Sequence, residues 1–178
     1  MRVISGTRGG LPLKALPGLD TRPTTDKVKG SIFSILYDRV AESKVLDLFS
    51  GSGAMGIEAL SRGAASATLV DSSPKAVEII RKNLEFTKLS ANVLCRPADK
   101  FLLGCSEKFD IIFMDPPYFS NHITDCLEII FEKDILSDGG IIVAESDKSE
   151  TFPAEISSFA MIDERFYGRV AVRFYGKK

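Results

Sequence analysis

The chain predicts an α/β fold built on a mostly parallel, doubly wound sheet, and three observations carry that prediction. Short apolar runs recur at residues 45–49, 67–70, 109–114 and 141–145 without polar alternation, as strands buried on both faces require. Segments with apolar residues at helical spacing lie between them, the alternation of a parallel sheet with crossover helices. The first run passes through Ser50-Gly51-Ser52-Gly53-Ala54-Met55-Gly56 into a helical stretch, a strand–glycine turn–helix unit.

Each element has its own signal. Residues 1–23 mix Arg, Gly and Pro with short apolar pieces, which reads as a basic hairpin or arm packed on a single domain over 24–178. Thr24 or Thr25 is a candidate cap for a helix running to about Val40, with Val28, Ile32, Ile35, Leu36 and Val40 on one face. The helix after the glycine turn runs to about Arg62. Ser73-Pro74 is a cap and first-turn pair, and the helix it opens places Val77, Ile80 and Leu84 inward. A short strand near 92–95 and a short helix near 97–103 lead to the strand at 109–114. The next helix presents Ile123, Leu127, Ile130 and Phe131 to the core, and Asp138-Gly139-Gly140 turns into the strand at 141–145. Alternation in the tail predicts a two-stranded hairpin with Tyr167-Gly168 at the turn and Val170, Val172 and Phe174 on one face.

Composition bounds the function. A length of 178 residues with 44% hydrophobic content suits one well-cored domain, and no apolar run approaches a membrane span. Cys95, Cys105 and Cys126 lack paired metal-ligand spacing and have a single His122 for company. No metal site or disulfide framework is expected, and a reducing cytoplasm is. The net charge is −1, yet residues 1–30 carry six cations (Arg2, Arg8, Lys14, Arg22, Lys27 and Lys29) against Asp20 and Asp26. A basic arm on a mildly acidic core is the distribution that phosphate contact would use.

The chemistry concentrates in two stretches. Asp115-Pro116-Pro117-Tyr118 follows the strand at 109–114. Each proline fixes its own φ and lacks an N–H, so the carbonyls there are held with no adjacent amide to quench them. An exocyclic base amine can give one hydrogen to Asp115 and the other to the Pro116 carbonyl while its ring stacks on Tyr118, beside Pro117. In the other stretch, Gly51, Gly53 and Gly56 fit G-x-G-x-x-G, and Asp71 ends the following run at the spacing where an acid holds ribose hydroxyls. Asp47 separates the nucleotide cofactors. A carboxylate beside the glycine turn repels a pyrophosphate and attracts an ammonium, which S-adenosylmethionine (SAM) carries. The competing role for Asp47 is to cap the glycine turn. No G-x-x-x-x-G-K-[ST] is present, which argues against a P-loop hydrolase.

Asp47-x-Phe49-x-Gly51-x-Gly53 together with Asp115-Pro116-Pro117-Tyr118 resembles the SAM-dependent amino-methyltransferases that act on nucleic-acid bases. Adding Arg8-Gly9-Gly10, Arg22-Pro23-Thr24, Lys27-Val28 and the tail Tyr167-Gly168 to Phe174-Tyr175, nearly the whole chain resembles the bacterial small-subunit rRNA guanine-N2 methyltransferases. The resemblance implies a Rossmann-like methyltransferase fold with a seven-stranded sheet whose final strand is antiparallel. It also implies methyl transfer from SAM to a guanine N2 in 16S rRNA of the small subunit; a monomer is the default expectation. Asp115, Pro116 and Tyr118 would be catalytic. Asp47, Phe49, Gly51, Gly53, Asp71 and Asp99 would hold SAM, with Asp99 against the adenine amine. Arg8, Arg22, Lys27, Lys29 and Pro117 would meet the RNA. Adenine-N6 and cytosine-N4 methyltransferases share the core motifs, and a nicotinamide dehydrogenase fits the glycine turn alone.

Overall fold

Parallel pairing of apolar strands builds the frame that positions the site. The structure is a computed structural model and describes residues 1–16 and 26–178. The strands are β1 (Lys44–Leu48), β2 (Ser66–Asp71), β3 (Asn92–Cys95), β4 (Phe109–Met114), β5 (Leu136–Asp147), β6 (Glu155–Ile156), β7 (Phe159–Tyr167) and β8 (Val170–Lys177). They form one sheet in the order β3-β2-β1-β4-β5-β8-β7-β6. Pairing is parallel from β3 through β5 and antiparallel from β5 to β8 and onward. The expected alternation and closing hairpin are present, and the two-residue β6 adds an eighth strand to the seven expected.

The helices are α1 (Asp26–Leu36), α2 (Ala54–Ser61), α3 (Pro74–Thr87), α4 (Ala98–Leu103) and α5 (His122–Glu132). Side chains of β1 divide between two cores. Val45 packs with α1, α2 and α3 on one face, whereas Leu46 and Leu48 pack with α4 and α5 on the other. Ser73 caps α3 as its sequence predicts, accepting from the Ala76 amide at 3.4 Å. Val77, Ile80 and Leu84 are buried, and so are Val170, Val172 and Phe174 in the tail. Gly168 turns the tail hairpin with φ +64°.

Three details depart from the helical and strand patterns. Ile35 and Phe131 are 39% and 42% exposed, because periodicity marks a face but not its width. The helix α1 ends at Leu36 and a 3₁₀ turn covers Tyr37–Arg39. Asp138-Gly139-Gly140 does not precede β5 but lies within it, beside a register shift against β4 that the φ of +72° at Gly139 accommodates.

Residues 1–13 form a hairpin, with Arg2 bridged to Pro12 and paired amides at Val3, Gly10 and Leu13. It is fastened to the domain by polar groups reaching up from α1, α2 and α3. The Glu58 carboxylate accepts from the Ile4 and Ser5 amides at 2.7 and 3.0 Å, and Lys29 donates to the Arg2 carbonyl at 2.6 Å. Asn83 accepts from the Lys14 amide and donates to the Lys14 and Ser52 carbonyls. The described part of the arm is thus docked on the fold. Its expected boundary at 23/24 and the candidate caps Thr24 and Thr25 lie outside the described residues.

Candidate active site

Strand register brings the two chemical stretches to one edge of the sheet. Asp47 lies opposite Phe113 and Leu48 opposite Met114, so the turns after β1 and β4 leave the sheet side by side. The chain runs from β1 to β2 on one side and joins β4 on the other. This reversal of strand order is where open α/β sheets bind ligands.

The glycine turn is held from below. Ser50 is buried and donates its hydroxyl to the Asp47 and Val70 carbonyls at 2.5 and 3.1 Å. Gly51 adopts φ +55° and Gly53 φ +77°, with Gly53 capping α2. An added Cβ on Gly51 would meet nothing nearer than the Phe49 carbonyl at 4.0 Å, so a ligand can lie against this backbone. At Gly53 a Cβ would strike Leu69 at 2.9 Å, so the second glycine serves the packing of α2 on β2. Asp71 joins the two elements, accepting from the Gly51 and Ser73 amides, each at 2.8 Å. Each carboxylate oxygen has a second lone pair, so these bonds leave acceptor capacity for ribose hydroxyls.

Asp47 is buried, and its Oδ2 accepts from the Gly56 amide at 2.9 Å. The capping role is therefore real, and Oδ1 and the remaining lone pair of Oδ2 leave acceptor capacity. Burial above all raises its pKa to about 7; the Gly56 bond opposes the shift and the Asp71 charge adds to it. Its protonated form favours the apo fold, a contribution lost as pH rises from the ordinary carboxylate range through about 7. A bound ammonium reverses this preference by favouring the carboxylate. Calorimetric SAM affinity is expected to rise with pH by up to about tenfold per unit between roughly pH 5 and 7 and then level. Asp47→Asn should flatten that profile; an unchanged slope would assign the proton to another group.

Phe49 has φ +60° and lies 5.4 Å, centroid to centroid, from His122 at the start of α5. Asp99 sits in the first turn of α4, 3.7 Å from Lys100 Nζ and about half exposed. The Cys126 thiol on α5 lies within reach of its charge, with a pKa pushed up to about 12 by burial first and by Asp125 and Asp99 next.

On the acceptor side Pro116 is buried, Pro117 exposed, and Asp115 and Tyr118 half-buried. Met114 lies opposite Ala144, so Glu145 comes to the level at which Asp115 leaves β4. Tyr118 donates its hydroxyl to Glu145 Oε1 at 3.4 Å. Burial, then the Glu145 and Asp115 charges, hold the phenol well above its usual pKa, so it remains a neutral donor. Glu145 is a site residue that the motif reading missed. Its signal was an acid at a strand's end, the same mark that identified Asp71.

The cations fare differently. Lys29 is fully buried, 3.4 Å from Glu58, and burial lowers its pKa although Glu58 opposes the shift. It cannot reach RNA and is corrected from a substrate contact to an internal clamp of the hairpin. Arg8 spends Nε on the Thr87 carbonyl at 2.6 Å, another fastening of the hairpin. Lys27 is exposed on the first turn of α1, and Arg22 lies outside the described residues.

A glycine turn at the switch point, a buried acid beneath it and an Asp-Pro-Pro-Tyr rim beside it define a SAM-dependent methyltransferase. The family described as Conserved hypothetical protein 95 matches residues 1–176, and the chain belongs to that family. The YlbH protein of Bacillus subtilis is 40% identical, with both chains covered in full. The Escherichia coli (strain K12) protein named Ribosomal RNA small subunit methyltransferase D is 34% identical, over 100% of this chain and 90% of its own. The solved structure of the yhhF protein of Escherichia coli superposes with a TM-score of 0.88 at 34% identity, covering 100% of this chain and 98% of its own.

Proposed function

We propose that the protein methylates the exocyclic N2 of a guanine in 16S rRNA of the small ribosomal subunit. The observation that carries this reading is the register that sets Asp115-Pro116-Pro117-Tyr118 beside Asp47 and the glycine turn, in a chain matched end to end by a small-subunit rRNA methyltransferase. When bound, SAM supplies an electrophilic methyl group. Asp47 would hold its ammonium, the backbone at Gly51 its amino-acid part, Asp71 its ribose and Asp99 its adenine amine, with Phe49 and Gly53 shaping the turn.

Guanine N2 is a weak nucleophile because its lone pair is delocalised into the ring. Asp115 and the Pro116 carbonyl would accept its two hydrogens and turn the lone pair out of the ring plane. Tyr118 stacks on the base, with its hydroxyl tied to Glu145 so that the ring keeps one orientation. Such enzymes take their base out of its helix or use an unpaired one. Alignment and fixed acceptors then supply the rate, each contributing several kcal/mol in comparable sites. The proton leaves to Asp115 or to water. Lys27, Arg22 and Pro117 would meet the RNA. On this reading the enzyme acts as a monomer in the cytoplasm, where subunits assemble.

Tritium transfer from labelled SAM to purified small subunits, naked rRNA and DNA, followed by nucleoside analysis, tests the assignment. Label in N2-methylguanosine from particles or rRNA is expected. Label in N6-methyladenine or N4-methylcytosine of DNA would keep the cofactor and overturn the substrate.

A further inference from the structure

Phe119 directly follows the acceptor motif and is 70% exposed, the ring standing in water at the mouth of the site. Its φ is +58°, in the left-handed region that a bulky side chain rarely adopts. Among the described residues only one other aromatic, Phe49, shares that conformation, and it lies in the cofactor turn. Strain kept beside a reaction centre is held by its surroundings, and here the holders are visible. The Phe119 amide donates to Glu150 Oε1 at 3.0 Å, and the same carboxylate accepts from the Asp147 amide through Oε2 at 2.9 Å. Ser120 closes the turn from the other side, donating its hydroxyl to the Pro117 carbonyl at 2.6 Å. Glu150 is itself fixed, because buried Arg173 on β8 donates to its carbonyl at 2.7 Å and to the Ser146 hydroxyl. The backbone that carries the ring is therefore anchored, with a clamp running back to the central sheet, in a position that buries little of the side chain.

An apolar ring exposed to water on an anchored backbone next to Tyr118 has a chemical counterpart in the proposed substrate. Drawing one base into the pocket strips its neighbour in the strand of a stacking partner. A rigid aromatic face at the rim restores that stacking without reading the base. We propose that Phe119 is a stacking platform for the nucleotide adjacent to the target guanine, mounted by Glu150. This inference rests on the proposed RNA substrate. It separates the work of two consecutive aromatics: Tyr118 receives the target base and Phe119 its neighbour.

The test compares wild type, Phe119→Ala and Phe119→Trp in label transfer from SAM to purified small subunits over a range of particle concentrations. Expected is a rise in KM for the particle of about tenfold in Phe119→Ala, recovery in Phe119→Trp, and calorimetric SAM affinity equal in all three. Wild-type transfer with an unchanged KM in Phe119→Ala would overturn the platform and leave the RNA assignment standing. A raised KM that Phe119→Trp fails to restore would also overturn it, since any large aromatic face supports stacking. Absence of guanine methylation by wild type would overturn the substrate reading and this inference with it.

Discussion

Asp115→Ala is expected to lower kcat for methyl transfer by about a thousandfold or more, while SAM binds within about threefold of its wild-type affinity. Removal of one fixed hydrogen-bonding group from a transition-state site commonly costs about 10²–10³ in rate, and loss of a proton acceptor about 10²–10⁴. Asp115 serves as both on the proposed mechanism. The proposed cofactor contacts lie elsewhere: Asp47 on β1, the turn at Gly51 and Asp71 on β2 are held by bonds that do not involve β4's exit. Asp115→Asn keeps an acceptor oxygen but introduces a donor facing an amine, so its activity should fall between the two. Single-turnover kinetics with calorimetry in parallel separates chemistry from binding. A fully active alanine variant would remove Asp115 from the mechanism.

Glu58→Ala is expected to destabilise the fold by about 3–5 kcal/mol, because it leaves a buried charge without its partner. Glu58 and Lys29 are both completely buried. Removing the carboxylate strands the Lys29 ammonium with the Arg2 carbonyl, frees the Ile4 and Ser5 amides and unpairs Arg62 Nε, which sits 2.8 Å from Glu58 Oε1. At about 2–4 °C per kcal/mol for a domain of this size, Tm should fall by roughly 6–20 °C. Amide exchange should show the hairpin over residues 1–13 losing protection first. A Tm within about 2 °C of wild type would mean that the hairpin docks by other contacts. The outcome also bears on the arm's role, since a hairpin clamped from inside contributes to the fold before it can contribute to RNA affinity.

Local chemistry was legible wherever a residue's neighbours in sequence are its neighbours in space. The strand at 109–114 with Asp115-Pro116-Pro117-Tyr118 at its end, the glycine turn after β1, Asp71 closing β2 and Ser73 capping α3 all carry signals written within a few residues of sequence. Apolar spacing gave the elements and which face of each is buried. It did not give the edges of those faces, as exposed Ile35 and Phe131 show, nor the strand character of the bulged stretch at Gly139.

Charge was the poorest guide, because a cation's depth depends on what lies above it. Lys29 reads as one more member of a basic arm, yet α2 brings Glu58 beneath the hairpin and turns it into an internal clamp. Glu150 likewise belongs to no local pattern, and nothing local tied the acid Glu145 to Tyr118. They meet the acceptor loop only because β5 pairs beside β4 and β8 beside β5. The sequence by itself determined the order of elements, the cofactor turn and the acceptor motif, since those follow from backbone geometry and short-range hydrogen bonding. Only the tertiary structure decided which charges are buried and which side chains steady the site, because desolvation and long-range pairing exist only once the sheet has assembled.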